Sequence, residues 1–257
     1  RGPGFAEIVN IMERLLDRAA REMKLDRFEI RRRNLIPPGA MPFISLTGTP
    51  VDSGAFPANL TGAEAFASGF ADRRRETEAR GMLRGLGFAC HIKATGGLPE
   101  EKVELRFGDD DVTLTTGTQA IGQGHETTFR QIVSGLLGVP FDSIGYRAGD
   151  TDAISKGGGH GSSRATYMGG TAIFLAKEKI VEKGRKVAAM MLEAAEGDIE
   201  FEDGDFRVAG TDRAVDIFTV ARRAREEGTT DADGNVGLDT AHEFVREAMT
   251  FPNGCHV

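Results

Sequence analysis

Apolar residues Ile8, Ile11, Met12, Leu15, Leu16, Ala19, Ala20 and Met23 recur at helical spacing, which predicts an amphipathic helix with one buried face. Asp26 reads as the cap of a second helix running to about Asn34, with Glu29 as its capping-box partner. Pro37-Pro38-Gly39 stops that helix. Residues 36–58 are rich in Pro, Gly, Ser and Thr and predict an extended loop. Asn59 or Thr61 is placed to cap a helix over about 61–80. Its end, Arg73 to Arg80, mixes both charge signs and reads as a solvated face.

Strand patterns follow. Residues 85–92 form an apolar run, and Lys102–Phe107 alternates with period two. Asp109-Asp110 then turns into Val112–Thr116, so a hairpin leads into a glycine-rich loop. Phe129, Ile132, Val133, Leu136 and Leu137 mark one face of the next helix, which Gly138 and Pro140 end. A short strand at 143–147 and a turn at Gly149-Asp150-Thr151-Asp152 precede a second glycine-rich loop. A long helix over about 164–195, bent at Gly184, comes next. The remainder predicts a hairpin about Asp203-Gly204, a helix over 216–227 and a strand over 238–247. This order predicts an α+β fold with a mixed sheet packed against helices, divided into a helical segment with its loop (1–80) and an α+β domain (81–257).

Composition narrows the function classes. The chain has 257 residues, 40% of them hydrophobic and 28% charged, which suits a soluble globular protein with a real core. Net charge is −7 and basic residues are interspersed with acids, so nucleic acid is not expected as a partner. No apolar run is long enough to span a bilayer, and no membrane partner is expected. Cys90 and Cys255 lie far apart in sequence, have no metal-ligand spacing, and suit a reducing cytoplasm, where free thiols are expected over a disulfide between the two. Arg1-Gly2-Pro3-Gly4 reads as a turn inside a fold, and 251–257 as a turn entering a strand. A piece of a longer polypeptide is therefore expected.

The candidate chemistry lies in the two loops. Gly117 to Phe129 contains Gly122-Gln123-Gly124-His125-Glu126 and opens a helix, where backbone N–H groups favour an anion or polar ligand. Thr127 stands where a dinucleotide fingerprint would need its third glycine, and there is no P-loop lysine. Gly157-Gly158-Gly159-His160-Gly161-Ser162-Ser163-Arg164-Ala165-Thr166 also enters a helix, with Ser162, Ser163 and Thr166 as donors. Taken singly, each loop reads equally as a flexible turn. Taken together they suggest a large polar cofactor gripped from two sides. His125 and His160 have no zinc spacing, His91 reads as a structural residue of an apolar strand, and Asp150 and Asp152 read as turn formers.

The two loops in this order resemble the molybdopterin-binding large subunit of the xanthine dehydrogenase / aldehyde oxidase family, in its carbon monoxide dehydrogenase-like branch. The residues carrying the resemblance are 122–128, 149–152 and Ser163-Arg164-Ala165-Thr166 with Gly169-Gly170. Residues 31–37, 52–57 and Ala94-Thr95-Gly96-Gly97 support it. The resemblance implies a molybdenum hydroxylase acting on an aldehyde or N-heterocycle. Its cofactor would be molybdopterin, with the cytosine dinucleotide form as one option. An iron–sulfur subunit and an FAD subunit would be its partners in an oligomeric complex. Residues 1–80 would close the first cofactor-binding half and residues 81–257 would form the second.

By the same resemblance Gln123 lies near the metal centre and Arg1 stabilises charge on the substrate oxygen. Gly122, Gln123, Gly124, His125, Ser162, Ser163 and Thr166 would hold the cofactor, and no residue here ligates the metal itself. Carbon monoxide oxidisers carry a Cys after this Arg; Gly2 stands there, which argues against that reaction. The family's general-base Glu, in a Gly-x-Gly-Glu motif, does not occur in these residues, so this piece alone is expected to be inactive. A non-catalytic scaffold assembling with redox subunits is the alternative, and an unrelated phosphate-binding module a third.

Overall fold

The computed structural model describes residues 4–95 and 97–257. Arg1, Gly2, Pro3 and Gly96, which belong to the motifs named above, lie outside the described residues. The chain forms two compact units, one running to Thr95 and joined by Met249–Val257, the other spanning Gly96–Ala248.

In the first unit, helix α1 covers Phe5–Glu22 and α2 covers Arg27–Arg32. Of the expected apolar stripe of α1, Ala20 is buried, Leu16 and Ala19 are half-buried and the rest is exposed. Ile8, Ile11, Met12 and Leu15 are 60, 58, 54 and 53% exposed, whereas Glu13 and Ala20 are buried. The reason is electrostatic. The buried Arg31 guanidinium pairs with Glu13 at 2.6 Å and Asp17 at 2.9 Å, so α1 docks on α2 through charge. Asp26 caps α2 by accepting the Phe28 and Glu29 N–H groups. The capping box is incomplete, because the Glu29 carboxylate accepts from Arg32 and Arg33 instead.

The expected loop over 36–58 contains a small hairpin, β1 (Phe43–Ile44) against β2 (Pro50–Val51). The single helix expected over 61–80 is two helices. The first, α3, begins earlier, at Phe56–Ala67, with Pro57 in its first turn; α4 is Phe70–Glu78. Gly69 between them takes φ +69°, which breaks the helical run. Thr61 is no cap; its hydroxyl donates to the Pro57 carbonyl within α3. Strand β3, Ala89–Ile92, pairs antiparallel with the terminal strand β11, Asn253–His256.

The second unit carries the larger core. Its sheet has the order β10-β4-β5-β6, with β4 at Glu100–Phe107, β5 at Val112–Thr116, β6 at Ile144–Arg147 and β10 at Thr240–Val245. The β10–β4 and β4–β5 pairings are antiparallel and β5–β6 is parallel. A parallel pair needs a crossover, and α5 (His125–Leu137) supplies it. Alternation along β4 turns Val103, Leu105 and Phe107 inward with Leu114 of β5, where Phe129 and Val133 of α5 meet them.

Helix α6 (Gly170–Met191) packs on β4 and β10 and is entered through a π-turn at Ala165–Gly169. The helix runs through Gly184 without interruption. A Cβ there would stand 2.1 Å from the Phe206 ring, so the glycine lets that ring lie close against the helix. The expected hairpin is three strands, β7 (Ile199–Glu202), β8 (Asp205–Val208) and β9 (Ala214–Asp216). Asp216 then caps α7, Ile217–Glu226. The result is the mixed sheet packed against helices of an α+β fold.

Candidate functional site

The first loop starts where β5 ends. Gly122 and Gly124 take φ +99° and +79°, a region that favours glycine, and Gly124 ends the turn as the residue before α5. No side chain caps that helix. The Gln123 carboxamide turns back on its own loop, where its oxygen accepts the Ile121 N–H. Its NH2 group is left as a donor. The His125 ring is buried and packs on Phe129 at 5.6 Å, so this residue faces the core.

In the second loop, Ser162 and Ser163 are consecutive, exposed and left-handed, with φ +60° and +56°. L-residues other than glycine hold this conformation at a cost of about 1–2 kcal/mol each. Thr166 is exposed on the π-turn that follows. Such a turn at a helix entry widens the first coil and is frequent at functional sites.

The loops meet at their stems, backbone against backbone. A Cβ on Gly117 would stand 2.5 Å from the Gly157 Cα, and one on Gly157 2.8 Å from the Gly117 carbonyl oxygen. A buried polar network locks this junction. Glu101 and Arg164 are each 1% exposed and pair at 2.8 Å. Glu101 Oε1 accepts from the Thr116 and Thr118 hydroxyls at 3.1 and 2.9 Å, which fixes the stem of the first loop. Arg164 donates to the carbonyls of Gly159 (2.6 Å), Leu98 (3.3 Å) and Glu100, which fixes the second. One carboxylate and one guanidinium therefore hold both loops, with the paired charges hydrogen-bonded on several sides as burial requires.

Tyr146 completes the junction by donating to the Thr118 carbonyl at 3.2 Å. Burial first, then the negative Glu126 and Glu101, push its hydroxyl up to about 12, so it stays a donor at neutral pH. Asp150 accepts the Asp152 N–H at 3.0 Å, the turn-forming role its sequence context suggested.

Glu101 escaped the sequence reading, and Arg164 entered it only as part of a motif. The signal for Glu101 was present. It stands in phase with Val103, Leu105 and Phe107, so the alternation that buries those three buries a carboxylate as well.

The exposed loop surface fits a large anionic, hydrogen-bonding cofactor. Gly122, Gly124, Gly159 and Gly161 each have open space where a Cβ would stand. Ser162, Ser163 and Thr166 add exposed hydroxyls, and the uncapped α5 N-terminus adds backbone donors. The molybdopterin cofactor-binding domain family matches residues 64–257. The chain belongs to that family. The match takes in both loops and the Glu101–Arg164 pair that joins them.

Relatives agree with the assignment. The chain is 34% identical over 265 residues to the 6-hydroxypseudooxynicotine dehydrogenase complex subunit gamma of Paenarthrobacter nicotinovorans, covering 99% of this chain and 33% of that one. It is 30% identical over 270 residues to the carbon monoxide dehydrogenase large chain of Hydrogenophaga pseudoflava, covering 98% of this chain and 33% of that one. Quinoline 2-oxidoreductase from Pseudomonas putida 86 superposes with a TM-score of 0.75 at 31% identity, over 95% of this chain and 33% of that structure. The chain thus spans about one third of the length of the curated relatives it matches. Among the described residues no helix is long and apolar enough to cross a membrane, and no three His, Cys, Asp or Glu side chains cluster to hold a metal ion.

Proposed function

We propose that this chain is the molybdopterin-gripping part of a molybdenum hydroxylase large subunit. The observation that carries the reading is the junction at Gly117 and Gly157, which two buried charges lock and beyond which both loops present open glycines and the second adds exposed hydroxyls. The bound cofactor would supply two-electron oxidation of an electrophilic carbon, with the inserted oxygen coming from water. The residues of this chain bind and orient. The N–H groups entering α5 would meet negative oxygens, Ser162, Ser163 and Thr166 would donate hydroxyl hydrogen bonds, and the Gln123 NH2, whose oxygen is taken by the Ile121 N–H, would supply a neutral donor. His125 contributes through its backbone, since its ring faces the core.

An N-heterocycle is the substrate class best supported, because a hydroxylase of nicotine (33% identical) and an oxidoreductase of quinoline are among the relatives. Arg1 would stabilise charge on the substrate oxygen. The dinucleotide form of the pterin, an iron–sulfur subunit, an FAD subunit and a cytoplasmic location belong to the same proposal.

The test is molybdenum per polypeptide in the full-length protein produced with its neighbouring subunits, beside Gln123→Ala. Near-stoichiometric metal that falls in the variant supports the reading, and N-heterocycle oxidation can then be assayed. Wild-type protein without molybdenum, from a host that loads a known family enzyme, overturns it in favour of a non-catalytic scaffold.

A further inference from the structure

The first unit contains a pair of groups that the cofactor reading does not use. Cys90 and Cys255, the chain's two cysteines, are separated by 165 residues in sequence yet stand directly opposite each other on β3 and β11. Their sulfurs are 3.0 Å apart and both thiols are free. The Lys93 and Thr95 N–H groups donate to the Pro252 and Thr250 carbonyls, so every second pair along this ladder is hydrogen-bonded and Cys90–Cys255 falls between them. Such non-hydrogen-bonded pairs bring Cα atoms to about 4.5 Å, inside the span a disulfide accepts.

Access is also present. Both thiols are partly exposed and line a cavity of about 320 Å³ together with Glu13, Leu16, Arg31 and Phe56. Other parts of the molecule offer less. The acidic turn at Asp231–Asn235 is satisfied by Lys183 and by its own N–H groups. The exposed stripe of α1 has nothing on it to identify a partner.

We propose that Cys90 and Cys255 form a redox-closing dithiol, oxidised to an intramolecular disulfide by a hydroperoxide. One sulfur, as thiolate, attacks the outer oxygen of the hydroperoxide; the O–O bond breaks, the alcohol leaves with a proton, and a sulfenic acid remains. The second sulfur attacks that sulfenic sulfur, the S–S bond forms, and hydroxide leaves with the second thiol's proton as water. Two thiols and one hydroperoxide give one disulfide, one alcohol and one water, with the peroxide taking both electrons. Burial, then the adjacent Cys255 thiol, push the Cys90 thiol above its ordinary range, which keeps its thiolate scarce and its oxidation slow. The bond would tie β11 to β3 and close a chain loop containing the whole second unit, Gly96–Ala248. A two-stranded ladder is weak by itself, so a covalent tie there changes local stability.

The experiment treats the reduced full-length protein with hydrogen peroxide, blocks remaining thiols and digests with trypsin without reduction. The expected product is one linked pair, the peptide 85–93 joined to the peptide that begins at Glu247. Its appearance should follow the loss of alkylation at both cysteines and raise the melting temperature, a rise absent from Cys255→Ser. Before oxidation, one equivalent of phenylarsine oxide should bind and resist a monothiol. Both peptides still alkylated after peroxide, or linked only between separate molecules, would overturn the proposal.

Discussion

A carboxylate placed in phase with Val103, Leu105 and Phe107 is tolerated only because a guanidinium and two hydroxyls reach it, so the Glu101–Arg164 pair is a sensitive point of the second unit. Removing one partner strands the other charge in the core. Arg164→Leu should therefore destabilise the second unit by about 3–5 kcal/mol in denaturant unfolding, and the loaded protein should lose molybdenum. Glycines at the same junction separate geometry from stability. Gly117→Ala puts a methyl 2.5 Å from the Gly157 backbone and forces the loops apart. Gly122→Ala meets no atom within 4 Å and pays only for its φ of +99°. Molybdenum retention should fall much further in Gly117→Ala than in Gly122→Ala; equal losses would mean that the close approach is not what holds the site.

Elements were legible in proportion to how local their signals are. Helix α5 and its ends follow from Gly124, Gly138 and one apolar face, all within the segment itself. Helix α7 follows in the same way from Asp216, which accepts the Phe218 and Thr219 N–H groups at 3.0 Å. Asp216→Ala should cost about 1 kcal/mol, read as a shift in the unfolding midpoint. What the sequence hid was long-range. The Cys90–Cys255 pairing spans 165 residues, and the Gly184 contact depends on Phe206 arriving from another element.

The turn at Asp231 gives a pH signature at this scale. Burial opposes its ionisation, but hydrogen bonds from the Asn235 side chain and backbone, then Lys183, bring its carboxyl down to about 2. A depressed folded value means the stabilisation is complete above the ordinary aspartate value of 3.8 and is lost as pH falls toward about 2. Asp231→Asn should flatten the stability profile in that window and leave its shape above it unchanged.

At the scale of the whole molecule, the exposed surface departs from that of a self-contained domain. Along α1, Ile8, Met12 and Leu15 are 60, 54 and 53% exposed, and Leu46, Phe66 and Leu83 are 108, 85 and 93% exposed elsewhere in the same unit. Helical spacing places the α1 residues on one stripe, and contiguous apolar surface of this kind drives association in water. The chain expressed by itself should therefore self-associate as its concentration rises, as read by sedimentation velocity. Ile8→Lys with Leu15→Lys should restore a monomer without lowering the melting temperature, since neither side chain joins the Glu13–Arg31 contact that docks α1. A monomer at all concentrations in the unsubstituted chain would mean the stripe is tolerated in water. The amphipathic pattern that predicted α1 would then mark helix formation without marking a surface that needs cover.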